Sequence, residues 1–206
     1  MHAIFTWNAH HKHQVIGVFK TGYILIILAL VLMAYFLAHD QYIVGMYVLG
    51  INAGQVALLL FCTTLIPGIL RRFSIRGSFV SLLMLYRRHL GITTFAFTFF
   101  HYAAIRLFPM LFAGDPFILI PPLFEAFGVV SLFTMSILFF TSNHWSVRTF
   151  GKWWSRIHML IYATAWGVFF HVFLQEVSLW TILIGFFAVG ETISLIYSYT
   201  RKHHKI

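Results

Sequence analysis

Long stretches of this chain carry no charged residue: 21–38, 41–70, 89–105, 116–124, 126–147, 157–175 and 177–190. A helix needs about 20 mostly apolar residues to cross the hydrocarbon of a bilayer. Joined across Glu125 and Glu191, the stretches predict six spans at about 20–38, 46–70, 88–112, 119–141, 156–174 and 178–200. The expected fold is therefore an all-α integral membrane protein, a bundle of about six transmembrane helices. Pro67 and Gly68 are expected to end the second span, and Pro121 and Pro122 to open the fourth, where missing amides matter least.

Composition excludes the alternatives. Hydrophobic residues make up 60% of the chain and charged ones 9%, against roughly a quarter charged in soluble domains. With 24 Phe, 9 Tyr and 6 Trp, the apolar side chains exceed what one small core can enclose, so much of that surface faces lipid. One membrane domain is expected to fill residues 1–206, with a polar tail over 1–19 and a basic tail over 201–206. The net charge of +9 does not indicate nucleic acid, because a basic patch of that kind needs an exposed soluble face. Cys62, the one cysteine, excludes an internal disulfide, a CxxC pair and a cysteine-held cluster. No small-residue cleavage site follows His10, His11, Lys12, His13 and Lys20, and the first span is expected to stay uncleaved.

Lysine and arginine set the orientation, since short cytoplasmic loops collect them. Thirteen of the 14 basic residues fall on one side: Lys12, Lys20, the 71–88 region, Arg148, Lys152, Arg156 and the C-terminal end. The opposite loops carry Asp40, Asp115 and Glu176, with Arg106 nearby. Both termini are thus expected in the cytoplasm and the protein in the plasma (inner) membrane. The connections 71–86 and 142–155 are read as long cytoplasmic loops, the second with Trp145, Trp153 and Trp154 at headgroup level.

Of the 12 histidines, eight lie in tails, in a loop or at an outer span end. His89, His101, His158 and His171 remain, at membrane depth, where an unpartnered polar group is costly. One such histidine serves interhelical hydrogen bonding as readily as chemistry; four at matched levels point further. His101 follows His89 by 12 residues and His171 follows His158 by 13, rises of about 18 and 20 Å along helices that both run outward. His101 with His171, and His89 with His158, can therefore supply pairs of imidazoles to b-type heme, one or two per chain, inside a dry, Phe-rich bundle. Steps of about 100° do not return residues 12 or 13 apart to one face, so spacing alone supports matched depth and not the full geometry.

The segments 87–101, RRHLGITTFAFTFFH, and 151–171, GKWWSRIHMLIYATAWGVFFH, resemble the ferric-reductase-like transmembrane domain family. The nearest likeness is to its short heme-binding members that serve bacterial periplasmic methionine sulfoxide reductases. The resemblance rests on Arg87, Arg88, Leu90 and Gly91 before His101, and on Gly151, Lys152, Trp154, Ile157 and His158 before His171. The stretch 63–72 and the pair Thr141 and Ser142 are also alike. It implies heme between the third and fifth spans and outward electron flow. His101 with His171 is the firmest pair it carries over. His158 matches as well, whereas His89 has no regular counterpart, so an inner-edge flavin (FMN) or quinone stands as the alternative to a second heme.

Arg87, Arg88, Lys152 and Arg156 suit heme propionates or a flavin phosphate, and serve ordinary topology equally well. Arg106 suits an outer propionate, or Glu125 or Glu176. Glu191 suits proton uptake at a quinone site, or snorkels to the inner edge. No GxGxxG fingerprint is present, so the donor is a separate cytoplasmic reductase or a quinol and the chain is not a complete enzyme alone. The acceptor implied by the resemblance is a periplasmic molybdenum enzyme, with ferric ion or oxygen as alternatives. Proton-relaying transporters and structural subunits are the competing classes.

Overall fold

The computed structural model describes residues 12–39, 44–112 and 122–203. The expectations for Asp40, Asp115, Pro121 and the outermost tail histidines lie outside the described residues. In chain order the helices are α1 (Lys12–Ala38), α2 (Val44–Arg72), α3 (Ser78–Tyr102), a π-helical turn (Ala103–Leu107), α4 (Phe108–Phe112), α5 (Leu123–Phe140), α6 (His144–Phe150), α7 (Lys152–Ile157), α8 (Leu160–Gln175) and α9 (Leu179–His203). Six segments are long and apolar enough to cross a membrane, and among the described residues there is no strand. The six-span, all-α expectation holds.

Four features differ from the sequence reading. Pro67 does not end its span: it is fully buried within α2, which runs on to Arg72. In hydrocarbon, breaking the helix there would strand several backbone groups, whereas continuing it forgoes the one bond that proline cannot donate. The helix stops after Arg72, where Ser74, with a φ of 64°, closes a Schellman turn in which Ser74 N–H donates to Arg71 O at 3.0 Å and Ile75 N–H to Leu70 O at 2.9 Å. The connection 71–86 is accordingly short, because α3 already starts at Ser78. The connection 142–155 is mostly helical, as α6 and α7. Asn143 caps α6 by accepting the Ser146 N–H at 2.7 Å. Gly151, at φ 49° and ψ −118°, makes the corner into α7 in a conformation that only glycine adopts cheaply. Lastly, α1 begins at Lys12, ahead of the expected 20, since Val15, Ile16, Val18 and Phe19 continue the apolar run and Lys20 can extend its stem along it.

The chain forms two compact units, one of Met1–Leu60 with Ile92–Ile120 and one of Phe61–Gly91 with Pro121–Ile206. In the first, Met33 and Leu37 of α1, Met46 of α2 and Ala104 of the π turn make a core joined by Leu30, Phe36, Phe100 and Phe108. Gly50 lets α2 close onto the π turn, because a Cβ there would stand 2.8 Å from Ala104 Cβ and from Ile105 Cδ1.

In the second unit α8 packs against both α5 and α9. Lipid supplies no hydrophobic drive between helices, so small residues and interhelical hydrogen bonds hold them. The Thr134 and Thr164 hydroxyls meet at 2.8 Å and Trp166 Nε1–H donates to Thr192 Oγ1 at 3.1 Å, bonds worth about 0.6 kcal/mol each in membrane bundles. Gly167 gives α5 its closest approach: a Cβ there would lie 2.4 Å from Ser131 Oγ and 3.7 Å from Ser131 Cβ. Gly167→Ala should therefore destabilise the protein by about 1 kcal/mol in a thermal melt in detergent, and adding Ser131→Ala should restore most of the loss. Equal melting temperatures for the single and double variants would contradict this packing.

Candidate functional site

His101 stands at the last turn of α3, immediately before the π turn, an interruption frequent at functional positions. Its Nδ1 lies 2.8 Å from the backbone carbonyl oxygen of Gly50 in α2. A carbonyl only accepts, so Nδ1 carries the proton and donates it. In the neutral ring, Nε2 keeps its lone pair.

His171, in the second unit, repeats this arrangement. Its Nδ1 donates to the carbonyl of Phe124 in α5 at 2.8 Å, and its ring stands 6.0 Å from the Phe124 ring. Here too Nε2 is left as a lone-pair donor.

Both contacts have the same steric requirement. A helical carbonyl points along the axis toward the residue four places on, whose N–H it accepts, and the Cβ of that residue stands beside the oxygen. At both sites that residue is glycine. A Cβ on Gly54 would lie 2.8 Å from His101 Nδ1, and one on Gly128 would lie 2.7 Å from His171 Nδ1. Atoms of this kind essentially never come so close, so an imidazole reaches the carbonyl only because the side chain is missing. Sequence reading passed over Gly54 and Gly128. The signal that marks them is a glycine inside an uninterrupted apolar span, where small residues admit close neighbours.

Metal-binding histidines typically donate their second N–H to a carbonyl or carboxylate, which fixes tautomer and ring orientation. His101 and His171 are both set in this way and both half-buried. They fit heme iron, which takes neutral imidazole nitrogens.

His158 is held differently. It lies at the break between α7 and α8, its ring centred 4.1 Å from that of Trp154, and Trp154 Nε1–H donates to Thr141 O at 2.9 Å. Thr141 Oγ1 gives its proton to Ile137 O at 2.7 Å. The 3.1 Å contact between His158 Nε2 and Thr141 Oγ1 must then run from Nε2–H to the hydroxyl, so His158 is the opposite tautomer. His89 is half-buried on α3 in the second unit.

The charged candidates separate by exposure. Arg88 and Lys152 are exposed, Arg87 is half-buried, and Arg106 is half-buried on the π turn after His101. Glu191 does not snorkel: at 2% exposure it pairs with Arg72, Oε1 to Nη1 at 3.0 Å, and Arg72 also donates to Ser194 Oγ at 3.0 Å and to the Tyr162 hydroxyl. A buried carboxylate without such a partner would be strongly disfavoured. Among the described residues no group of three or more His, Cys, Asp or Glu side chains is gathered as for a metal ion. Nitrogen NMR of the ¹⁵N-histidine-labelled, heme-free protein should show Nδ1-protonated neutral rings for His101 and His171 and an Nε2-protonated ring for His158. One common tautomer for all three would contradict the arrangement.

A family model described as ferric reductase like transmembrane component matches residues 53–170. This stretch is more than half of the chain, and it takes in Gly54, His101, Gly128 and His158 and stops one residue short of His171. Proteins named protein-methionine-sulfoxide reductase heme-binding subunit MsrQ from Brucella ovis, Brucella canis and Brucella melitensis are each 32% identical to it over 100 residues, covering 48% of this chain and 45% of the relative. The match thus spans a little under half the length of these relatives. No solved structure matches the chain. The helical architecture and the matched stretch agree, and the chain belongs to the ferric reductase like transmembrane component family.

Proposed function

We propose that this protein is a heme b electron-transfer subunit in which His101 and His171 would hold the heme iron through Nε2. The observation that carries the reading is the shared arrangement of the two rings. Each donates Nδ1–H to a helix carbonyl at 2.8 Å, and each needs the glycine four residues beyond that carbonyl. A histidine that served only to tie two helices together would gain nothing from being reproduced in this detail on two other helices. Heme iron, when bound, supplies a one-electron carrier whose potential follows its axial ligands, their hydrogen bonds and its burial.

The protein's own contribution is orientation and dryness. The carbonyl bonds hold each imidazole in one rotation and raise its basicity as a ligand. Apolar helix surface keeps water away. Arg106, on the turn after His101, and Arg87, Arg88 and Lys152 at the basic end are proposed partners for propionates or for the phosphate of an FMN; a quinone is the uncharged alternative at that end. A second heme on His89 and His158 would require His158 to release Thr141 and change tautomer, which favours one heme.

In this reading electrons enter from a cytoplasmic flavin reductase or from quinol and leave toward the outer side. The names of the Brucella relatives make a methionine sulfoxide reductase the favoured acceptor, ahead of ferric ion or oxygen. Proton relay by a transporter finds less support, because Glu191 is pinned by Arg72.

Purified protein should show a dithionite-sensitive Soret and α band, and His101→Ala and His171→Ala should each abolish it. Gly54→Ala and Gly128→Ala should weaken heme retention by about 10- to 100-fold, the range for lost ligand-orienting contacts. Gly22→Ala, with nothing within 4 Å of the added atom, should leave it unchanged. Full heme content in either histidine variant would overturn the assignment.

A further inference from the structure

At one end of the second unit, the last turns of α2 and α9 and Met84 and Arg87 of α3 line an open cavity of about 460 Å³. Four arginines line it, Arg71, Arg72, Arg87 and Arg201, with Met84 and Ser198 between them. Among the described residues, Arg72 is the one of the four that pairs directly with a carboxylate, Glu191. Arg71 reaches only the sulfur of Met84, at 4.0 Å, and Arg201 donates to the Ser74 hydroxyl. Among the described residues Arg87 makes no direct ion pair, though the Glu191 charge acts on it. Among the described residues, four guanidinium groups around one cavity thus face a single carboxylate.

Two ordinary explanations fall short. Orientation in the membrane requires basic residues at this end, but not around a common cavity. The carbonyl ends of α2 and α9 attract Arg71, Arg72 and Arg201, but Arg87 lies in the first half of α3, away from any helix C-terminus. An anion in the cavity would answer all four.

The surroundings narrow its chemistry. Planar guanidinium forks match the paired oxygens of a phosphate, and the volume lies in the range of small-ligand sites. Ile75, Phe79 and Leu85, close in sequence to Met84, and Ile193 and Ile196, close to Ser198, are exposed apolar side chains, a surface for acyl chains. A choline or ethanolamine ammonium would meet the surplus positive charge, whereas an uncharged polyol would not. Basic pockets between spans at the cytoplasmic side are known seats for anionic lipid headgroups. We propose that this cavity binds a phosphate ester, namely the headgroup of an anionic phospholipid such as phosphatidylglycerol. The proposal goes beyond the heme reading and does not depend on it; it assigns Arg87 to the lipid and leaves Arg88 and Lys152 for a propionate or flavin phosphate.

The test is native mass spectrometry of the detergent-solubilised full chain, titrated with dioleoylphosphatidylglycerol or dioleoylphosphatidylcholine, with thermal melts alongside. Phosphatidylglycerol should bind at least about 10-fold more tightly than phosphatidylcholine, the scale of a small number of charge-assisted contacts, and should raise the melting temperature. Arg71→Gln with Arg201→Gln should abolish the preference, while Arg148→Gln with Arg156→Gln, an equal loss of charge elsewhere, should keep it. If the first pair does not yield monodisperse protein, the exposed Arg201→Gln alone should still lower the preference. Equal affinity for the two lipids, an equal effect of both variant pairs, or displacement of phosphatidylglycerol by inorganic phosphate or FMN would overturn the proposal.

Discussion

An imidazole N–H inside a lipid-embedded bundle must find an acceptor. The acceptor most available there is a backbone carbonyl, which has a second lone pair after its own helical bond is made. Access to that lone pair is the constraint on which the candidate site depends. A helical carbonyl is screened by the side chain four residues on, so the ring reaches it only over a glycine. Gly54 and Gly128 are those openings. With Nδ1 committed to a carbonyl, the lone pair of the neutral ring must sit on Nε2, and a polar group that would be a liability in hydrocarbon is held in the orientation that the proposed heme ligation needs.

The same economy of small side chains runs through the rest of the molecule. Gly50 draws the π turn onto α2 beside His101, and Gly167 draws α8 onto Ser131 of α5, so the helices that carry the rings meet their partners where one side chain is missing. Hydroxyls then fill the remaining polar needs, as at Thr134 with Thr164 and at Thr141 with His158. The contrast between His158 and the two carbonyl-bound histidines follows from this chemistry. A threonine hydroxyl that has already spent its proton on Ile137 can only accept, and it turns His158 into the other tautomer.

Much of this was legible in the sequence, and the exceptions have physical causes. Charge-free runs locate the six spans because lipid tolerates almost nothing else there, and histidines stand out against that background. Pro67 misleads because a proline rule learned in water underrates how strongly hydrocarbon penalises a broken helix. The 142–155 segment reads as a loop because its helices are shorter than a span, although Asn143 and Gly151 are recognisable cap and corner residues in hindsight. Glu191 could not be assigned from its position alone, since its partner Arg72 is distant in sequence and only packing brings them to 3.0 Å. Gly54 and Gly128 were hidden for a like reason: a glycine in an apolar run reveals that something approaches closely, without naming what.

The central claim concerns where the Nε2 lone pairs point. Anomalous diffraction at the iron edge, on crystals of the heme-loaded protein, tests it most directly. A single strong iron peak bonded to Nε2 of both His101 and His171, with each Nδ1 still on its carbonyl, is the predicted result. An iron peak ligated by His158, or by only one of the two carbonyl-bound rings, would contradict the account.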